Sequence, residues 1–253
     1  MRSLHPCILF HFTTRKGLFG ILKNNFFLSY ARERIEGQNH SAEFGIPMVS
    51  FCDLRLSELK DHMDKYGPYG IGLSKEWANR QDLNPVFYAN KRSNFTRDFM
   101  AAVQAVYRTL ESINDIDELK HAQSGYMGVL NAYRFMKNYE GTLTRSNGEV
   151  VQDYRFADER EWRYVPTQAE FEPGFVPPGL MATPSQKSQL NEAARSHRHE
   201  FDPDDIRYLI VKTEKERLDL LDHVELVKSR FNLDKRRRLA SRVLTAEQIQ
   251  SDV

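Results

Sequence analysis

Cysteine is scarce in this chain: Cys7 and Cys52 are the only two in 253 residues. Both lie in apolar surroundings, and two residues so spaced make neither a disulfide framework nor a zinc site. Buried free thiols in a reducing compartment are expected. Charge of one sign is also lacking. Lysine and arginine number 36 against 35 acids, so a net charge of +1 gives no global pull toward nucleic acid or membrane. Long hydrophobic runs are missing. Cys7-Ile8-Leu9-Phe10-His11-Phe12 is too short for a signal peptide or a membrane span. A soluble cytoplasmic protein with no membrane partner is therefore expected. Several chemistries are excluded by motif. There is no glycine-rich phosphate loop and no Gly-x-Ser-x-Gly turn. His197-Arg198-His199 has no third ligand nearby, so it reads as a solvated segment and no metal is expected.

What is present is aromatic material for a core, with 16 Phe and 11 Tyr. No repeat and no break in composition divides the chain, so residues 1–253 read as one α+β domain. Apolar strand runs recur at Cys7–Phe12, Met48–Cys52, Tyr69–Leu73, Val86–Tyr88 and Ile206–Val211. Thr13 and Thr14 can cap a helix carrying Leu18, Ile21 and Leu22. The polar stretch Ala31–Phe44 reads as a loop that covers a pocket, and Asn84-Pro85 as a turn. Glycines 70 and 72 inside a strand mark a close approach of another group. From about 95 to 140 the period becomes helical, with Phe99, Ala102, Val103, Val106, Tyr107 and Leu110 on one stripe, which makes this a helical insertion. Asn147-Gly148 signals a hairpin turn. Thr213 with Glu216 forms a capping box, and Val224–Val227 reads as a short strand.

The most informative stretch is Glu159-Arg160-Glu161-Trp162-Arg163-Tyr164-Val165, read as a strand. Alternation puts Glu159, Glu161 and Arg163 on one face and Arg160, Trp162 and Tyr164 on the other. Two carboxylates and a cation on one face are either a site or a solvated surface, and the pattern alone does not decide. His11, Tyr30 and Ser50 are polar groups at other strand ends. Breaking a glycosidic bond needs a carboxylate beside an oxocarbenium-like centre, donors that orient the sugar, and a ring for the base. Glu161, His11 and Tyr30 have those residue types. Lys235-Arg236-Arg237-Arg238 is the only dense basic run, either a solvated helix face or a contact for phosphates or an acidic partner.

The segments His11-Phe12-Thr13, Gly20–Lys23, Phe27–Ala31, Ile46–Asp53 and Tyr66–Leu73 resemble the AbiGi family of phage abortive-infection proteins. The likeness continues through Trp77, Asn84-Pro85-Val86, Glu161-Trp162-Arg163, Ile206–Val211 and the stretch from Ala246 onward, and so covers nearly the whole chain. A strand ending in His-x-Thr with a later Glu-x-Glu is in turn similar to ADP-ribosyltransferases of the DarT-like toxin group. That resemblance implies an ADP-ribosyltransferase-like split β-sheet core and an NAD-dependent toxin of phage defence. NAD would be the substrate, and the acceptor a macromolecule such as single-stranded RNA or DNA. A cognate antitoxin would be its partner. It also implies roles: Glu161 catalytic, Glu159 positioning the acceptor, and His11, Phe12, Thr13, Tyr30 and Ser50 around NAD. The alternative is a non-catalytic antitoxin or binding module built on the same fold.

Overall fold

The computed structural model describes residues 6–144, 148–167 and 170–251. Asn147 of the expected hairpin turn lies outside them; Gly148 has φ +86°.

Strand β1 (Ile8–Thr13) leads into α1 (Arg15–Asn24), whose N-terminus Thr14 caps by accepting from the Gly17 amide. Next come β2 (Phe26–Phe27), β3 (Ser29–Glu36) and β4 (Ser41–Cys52). Helix α2 (Leu59–Tyr66) precedes β5 (Tyr69–Ser74) and α3 (Lys75–Arg80). Strands β6 (Asn84–Pro85) and β7 (Phe87–Ala89) lead to the helical insertion, α4 (Asn94–Ser112) and α5 (Ile116–Arg134). The chain continues through β8 (Met136–Asn138), β9 (Gly141–Thr144), β10 (Val150–Tyr154) and β11 (Glu161–Tyr164). Helix α6 (Pro184–Ala193) and β12 (Arg198–His199) follow. The last elements are β13 (Ile206–Val211), α7 (Glu214–Val227), α8 (Leu233–Ala240), β14 (Val243–Thr245) and α9 (Ala246–Ser251).

The main sheet runs β14-β13-β5-β1-β4-β11-β6, and β3 pairs with β4 beside this path. All its neighbours are antiparallel except β13 and β14. Mixed helices and an antiparallel-dominated sheet agree with the α+β reading. One face packs Leu9, Ile71, Leu73 and Leu209 against Leu18 and Leu22 of α1, Trp77 of α3 and Leu220 and Val224 of α7. The other packs Phe10, Phe12 and Ile210 against Leu59 and Met63 of α2 and Ile249 of α9. Glycines 70 and 72 do mark a close approach. A β-carbon there would sit within 2.9 and 2.8 Å of the Phe12 and Phe10 rings, so these two rings lie directly over the neighbouring strand.

Strand β1 pairs with β5 along its full length, from Ile8↔Ser74 to Thr13↔Tyr69. With β4 it shares a single pair, Phe10↔Cys52. The sheet thus opens between β1 and β4, and that opening positions the site.

Several expectations need correction. Residues 31–44 are not a loop over a pocket: β3 and β4 pair from Ser29↔Met48 to Glu36↔Ser41, and only a short tip lies between them. The strand reads as polar because one of its inward residues, Glu33, is buried in an ion pair with Arg163. Asn84-Pro85 is an edge strand against Arg163 and Trp162, where a proline is tolerated. Val224–Val227 completes α7 and is helical. Cys7 is exposed, whereas Cys52 is buried. His199 is buried rather than solvated, stacked on Tyr164 with ring centroids 3.9 Å apart. The run Lys235–Arg238 lies on α8 and is largely paired within the chain: Lys235 with Asp202 and Asp204, Arg236 with Glu225, and Arg238 with Asp204. No helix among the described residues is long and apolar enough to cross a membrane.

Candidate functional site

A cavity of about 200 Å³ occupies the opening between β1 and β4. Phe10, His11 and Phe12 line it from β1, and Met48, Ser50, Phe51 and Cys52 from β4. His62 and Tyr66 come from α2, Lys137 from β8, and Glu159 and Glu161 from the region of β11.

Glu161 begins β11, opposite Cys52, but Glu159 is not on that strand. It ends a 3-10 turn, Phe156–Glu159, and Arg160 follows in the left-handed region at φ 44°. The two carboxylates therefore converge because the chain turns between them, and not by strand alternation. Lys137 joins them, with Nζ 3.1 Å from Glu159 Oε2 and 2.7 Å from Glu161 Oε2. Arg163 binds Glu161 from behind, Nε donating to Oε1 at 2.6 Å and Nη2 to Oε2 at 3.2 Å. Its Nη2 also lies 3.0 Å from Glu33, and Nη1 donates to the Arg134 carbonyl. Two tyrosine hydroxyls donate to Glu159 Oε1, Tyr66 at 2.5 Å and Tyr154 at 2.9 Å. The Glu161 amide donates to the Tyr88 hydroxyl.

Glu33, Glu159, Glu161 and Arg163 are all buried, so this is a desolvated network of three carboxylates and two cations. Burial pushes the Glu161 carboxyl up, but Arg163 and Lys137 outweigh it and hold the pKa at about 2. Burial also works against the Lys137 ammonium, and Glu161, Glu159 and Glu33 overcome it, so this lysine stays charged. Burial and the nearby Glu159 push the Tyr66 and Tyr154 hydroxyls well above their ordinary range, so both remain donors.

His11 sits in the gap itself. Its Nδ1 donates to the Ser50 carbonyl at 2.8 Å, in the region where β1 and β4 no longer exchange backbone bonds. Burial lowers its pKa and the Ser50 bond opposes that fall, so the neutral ring carries its proton on Nδ1 and leaves Nε2 as an acceptor. Phe26 and Phe51 pack its faces. His62, over the ring of Phe12, is pushed down to about 4 by burial.

A second, larger groove of about 720 Å³ adjoins the cavity and shares His11, Phe12, Met48 and Ser50 with it. Thr13 and Tyr30 border this groove. Tyr30 does not join the cavity: its side chain is 1% exposed and its hydroxyl donates to the Pro173 carbonyl at 2.7 Å. Burial and Glu172 raise its pKa to about 12. The structure thus brings together His11, Phe12, Ser50, Glu159 and Glu161 of the expected residues, leaves Thr13 at the groove and puts Tyr30 in the core. Sequence reasoning missed Lys137, Tyr66, Tyr154, His62 and Glu33. Lys137 carries no local signal, since it follows the helical insertion between Met136 and Asn138. Among the described residues no group of three or more His, Cys, Asp or Glu side chains is placed to hold a metal.

Comparison with known proteins gives a consistent answer. Residues 24–212 match the family described as "Putative abortive phage resistance protein AbiGi, antitoxin". The chain is also similar to the abortive phage resistance protein AbiGi of Lactococcus lactis subsp. cremoris. The two are 24% identical over 229 residues, covering 83% of this chain and 90% of that protein. No solved structure gives a significant match. The match spans all the strands that bound the cavity except β1, and includes Lys137, Glu159, Glu161 and Arg163. This chain belongs to the AbiGi family of abortive phage resistance proteins.

Proposed function

We propose that the chain is the antitoxin-type, non-catalytic member of an abortive infection pair, acting in the cytoplasm by binding a cognate toxin protein. One observation carries this reading: every oxygen of Glu159 and Glu161 already accepts from the chain's own donors. A carboxylate that works on a substrate has to offer its lone pairs at the moment of reaction. Here Arg163, Lys137, Tyr66 and Tyr154 give each carboxylate three donors out of the roughly four it can accept, and the network reads as the structural floor of a binding cavity. The antitoxin description of the family supports the same conclusion. Expression alone should leave growth unchanged, and co-expression with the cognate toxin should restore growth. Growth arrest by this chain alone would sink the reading.

A second reading is favoured by a different observation. His11 and Glu161 line one cavity in the opening of the sheet, and Glu161 is held fully ionised. An ionised carboxylate at a cavity wall can stabilise an oxocarbenium-like ribose, with His11 Nε2 accepting from a sugar hydroxyl. In this reading the chain is an NAD-dependent ADP-ribosyltransferase toxin acting on a macromolecule such as single-stranded RNA or DNA. Glu161 is then the catalytic residue and Glu159 orients the acceptor. Incubation with labelled NAD and cell extract tests it: label on protein or nucleic acid, lost in Glu161→Gln at a temperature where circular dichroism shows that variant folded, would replace the first reading with this one.

A further inference from the structure

The outer edge of β3 is open in its middle. Gly45 of β4 exchanges both backbone bonds with Val176, so its N–H and C=O point away from β3. Arg32 stands opposite Gly45, and its own backbone groups therefore point away from β4, to the open side. Alternation gives Tyr30, Arg34 and Glu36 the same direction. Both ends of the edge agree. The Tyr30 amide donates to Asn191 Oδ1 at 2.8 Å. The Glu36 amide donates to Asn138 Oδ1 at 2.8 Å, and its carbonyl accepts from Asn138 Nδ2 at 2.9 Å. A carboxamide on β8 thus stands where the peptide group of a neighbouring strand would. Between the two asparagines, the Arg32 and Arg34 amides have no partner among the described residues. This stretch borders a cleft of about 640 Å³, whose far wall is β9. Among the described residues β9 pairs with β10 alone. The Arg32 and Arg34 side chains are exposed, and each holds one carboxylate, Glu43 at 3.0 Å and Glu36 at 3.1 Å. Exposed pairs of this kind exchange partners at little cost. A second copy of the chain is a poor occupant. Pairing the open stretches of two copies antiparallel puts arginine opposite arginine, and like charges directly opposite are destabilising.

We infer that the open edge of β3 takes an extended segment of the cognate toxin as an added strand. The segment carries acidic residues at the two positions opposite Arg32 and Arg34. The residue between them is uncharged, because it falls on the face where Glu33 is buried. Main-chain bonds from Arg32 and Arg34 hold the segment, and its alternate side chains select it. The assignment rests on the toxin-binding reading and gives that reading a surface. No residue of β1 lines this cleft, so the His11 cavity takes no part in it.

Site-resolved amide hydrogen exchange on the full chain tests the assignment, with the cognate toxin and with a capped peptide of alternating glutamate and valine as probes. The Arg32 and Arg34 amides should exchange quickly in the free chain and at least about 10-fold more slowly with either probe. The Ala31, Glu33 and Ile35 amides already face β4 and should change far less. A peptide of alternating lysine and valine should leave all of them unchanged. Toxin binding with both arginine amides still exchanging freely overturns the inference and leaves the antitoxin reading standing. A toxin that does not bind overturns both. Equal protection by the lysine peptide, or none by the glutamate peptide, overturns the acidic pattern and with it the choice of segment. Protection that grows with the concentration of the chain alone makes a second copy the occupant and overturns the toxin assignment. Arg34→Pro removes the outward amide without touching the ladder to β4, and Arg34→Ala keeps it. The proline variant should bind the toxin at least about 10-fold more weakly than the alanine variant. Equal affinity of the two folded variants overturns the inference, and if the proline variant fails to fold the exchange measurement decides alone.

Discussion

Arg163 and Glu161 stand two residues apart on one strand, and the guanidinium folds back along it until Nε meets Glu161 Oε1 at 2.6 Å. Residues at that spacing share a face. The remaining nitrogens reach Glu33 on β3 and the carbonyl of Arg134 at the end of α5. One arginine, 0% exposed, therefore ties β11 to the hairpin of β3 and β4 and to the helical insertion. Such a group is a stability element first, whatever the cavity holds.

Glu161→Gln should cost stability. It keeps the shape but leaves Arg163 and Lys137 short of a carboxylate in a buried place, and breaking a buried pair from one side costs about 3–5 kcal/mol. Arg163→Met should cost a similar amount. The double variant should recover part of the loss, because no uncompensated charge remains between them. Urea denaturation of the three variants checks this. A Glu161→Gln protein as stable as the parent would show that the network is relaxed or hydrated in solution.

Stability should fall between neutral pH and pH 4. Burial pushes His62 and His199 down to about 4, from 6.5 in the unfolded chain. Their folded-state pKa values are depressed, so their contribution is complete above about 6.5 and is lost as pH falls through the folded values. Within that window each imidazole gives a slope of about 1.4 kcal/mol per pH unit. Below about 4.5 Glu161, held near 2, adds a loss of the same sign. Unfolding free energies at a series of pH values measure the slope. His199→Phe, which keeps a ring against Tyr164 and Trp77, should remove its share.

Gly67→Ala should destabilise the turn between α2 and β5. Gly67 has φ +101°, a conformation side chains rarely adopt, and a β-carbon there would lie 2.8 Å from the Thr13 carbonyl oxygen. That neighbour is backbone and cannot swing aside. A loss of about 1–3 kcal/mol is expected. Gly20→Ala is the control, since nothing lies within 4 Å of its β-carbon position and the helix gains propensity. Thermal melts of the two variants should move in opposite directions.

Within the basic helix α8, Lys235→Glu should lower the melting temperature, because it puts a third carboxylate beside Asp202 and Asp204. Arg237→Glu, an exposed position, should change it little. If both variants melted alike, the ion pairs on this helix would carry no weight in solution.

The strands with uninterrupted apolar runs were legible from sequence, because burial on both faces leaves a continuous signal. The caps at Thr14 and Thr213 were legible for an equally local reason. The hairpin of β3 and β4 was hidden because buried Glu33 reads as a loop residue until Arg163 is placed beside it. Glu159 and Glu161 were singled out, but for the wrong geometric reason, since the left-handed Arg160 carries no glycine or asparagine to announce it. Lys137 was out of reach. Its distance from Glu161 in space, 2.7 Å, is set by how the insertion returns to the sheet, and no local pattern encodes that.

The single pair Phe10↔Cys52 makes the sheet mechanically two plates hinged along one line. Across that seam the backbone supplies one rung, and the His11–Ser50 bond, the Lys75–Asp53 ion pair and the packing of Leu9 and Trp77 with Phe51 supply the rest, while each plate is internally ladder-paired. A molecule lodged in that seam acts as a wedge on both plates at once.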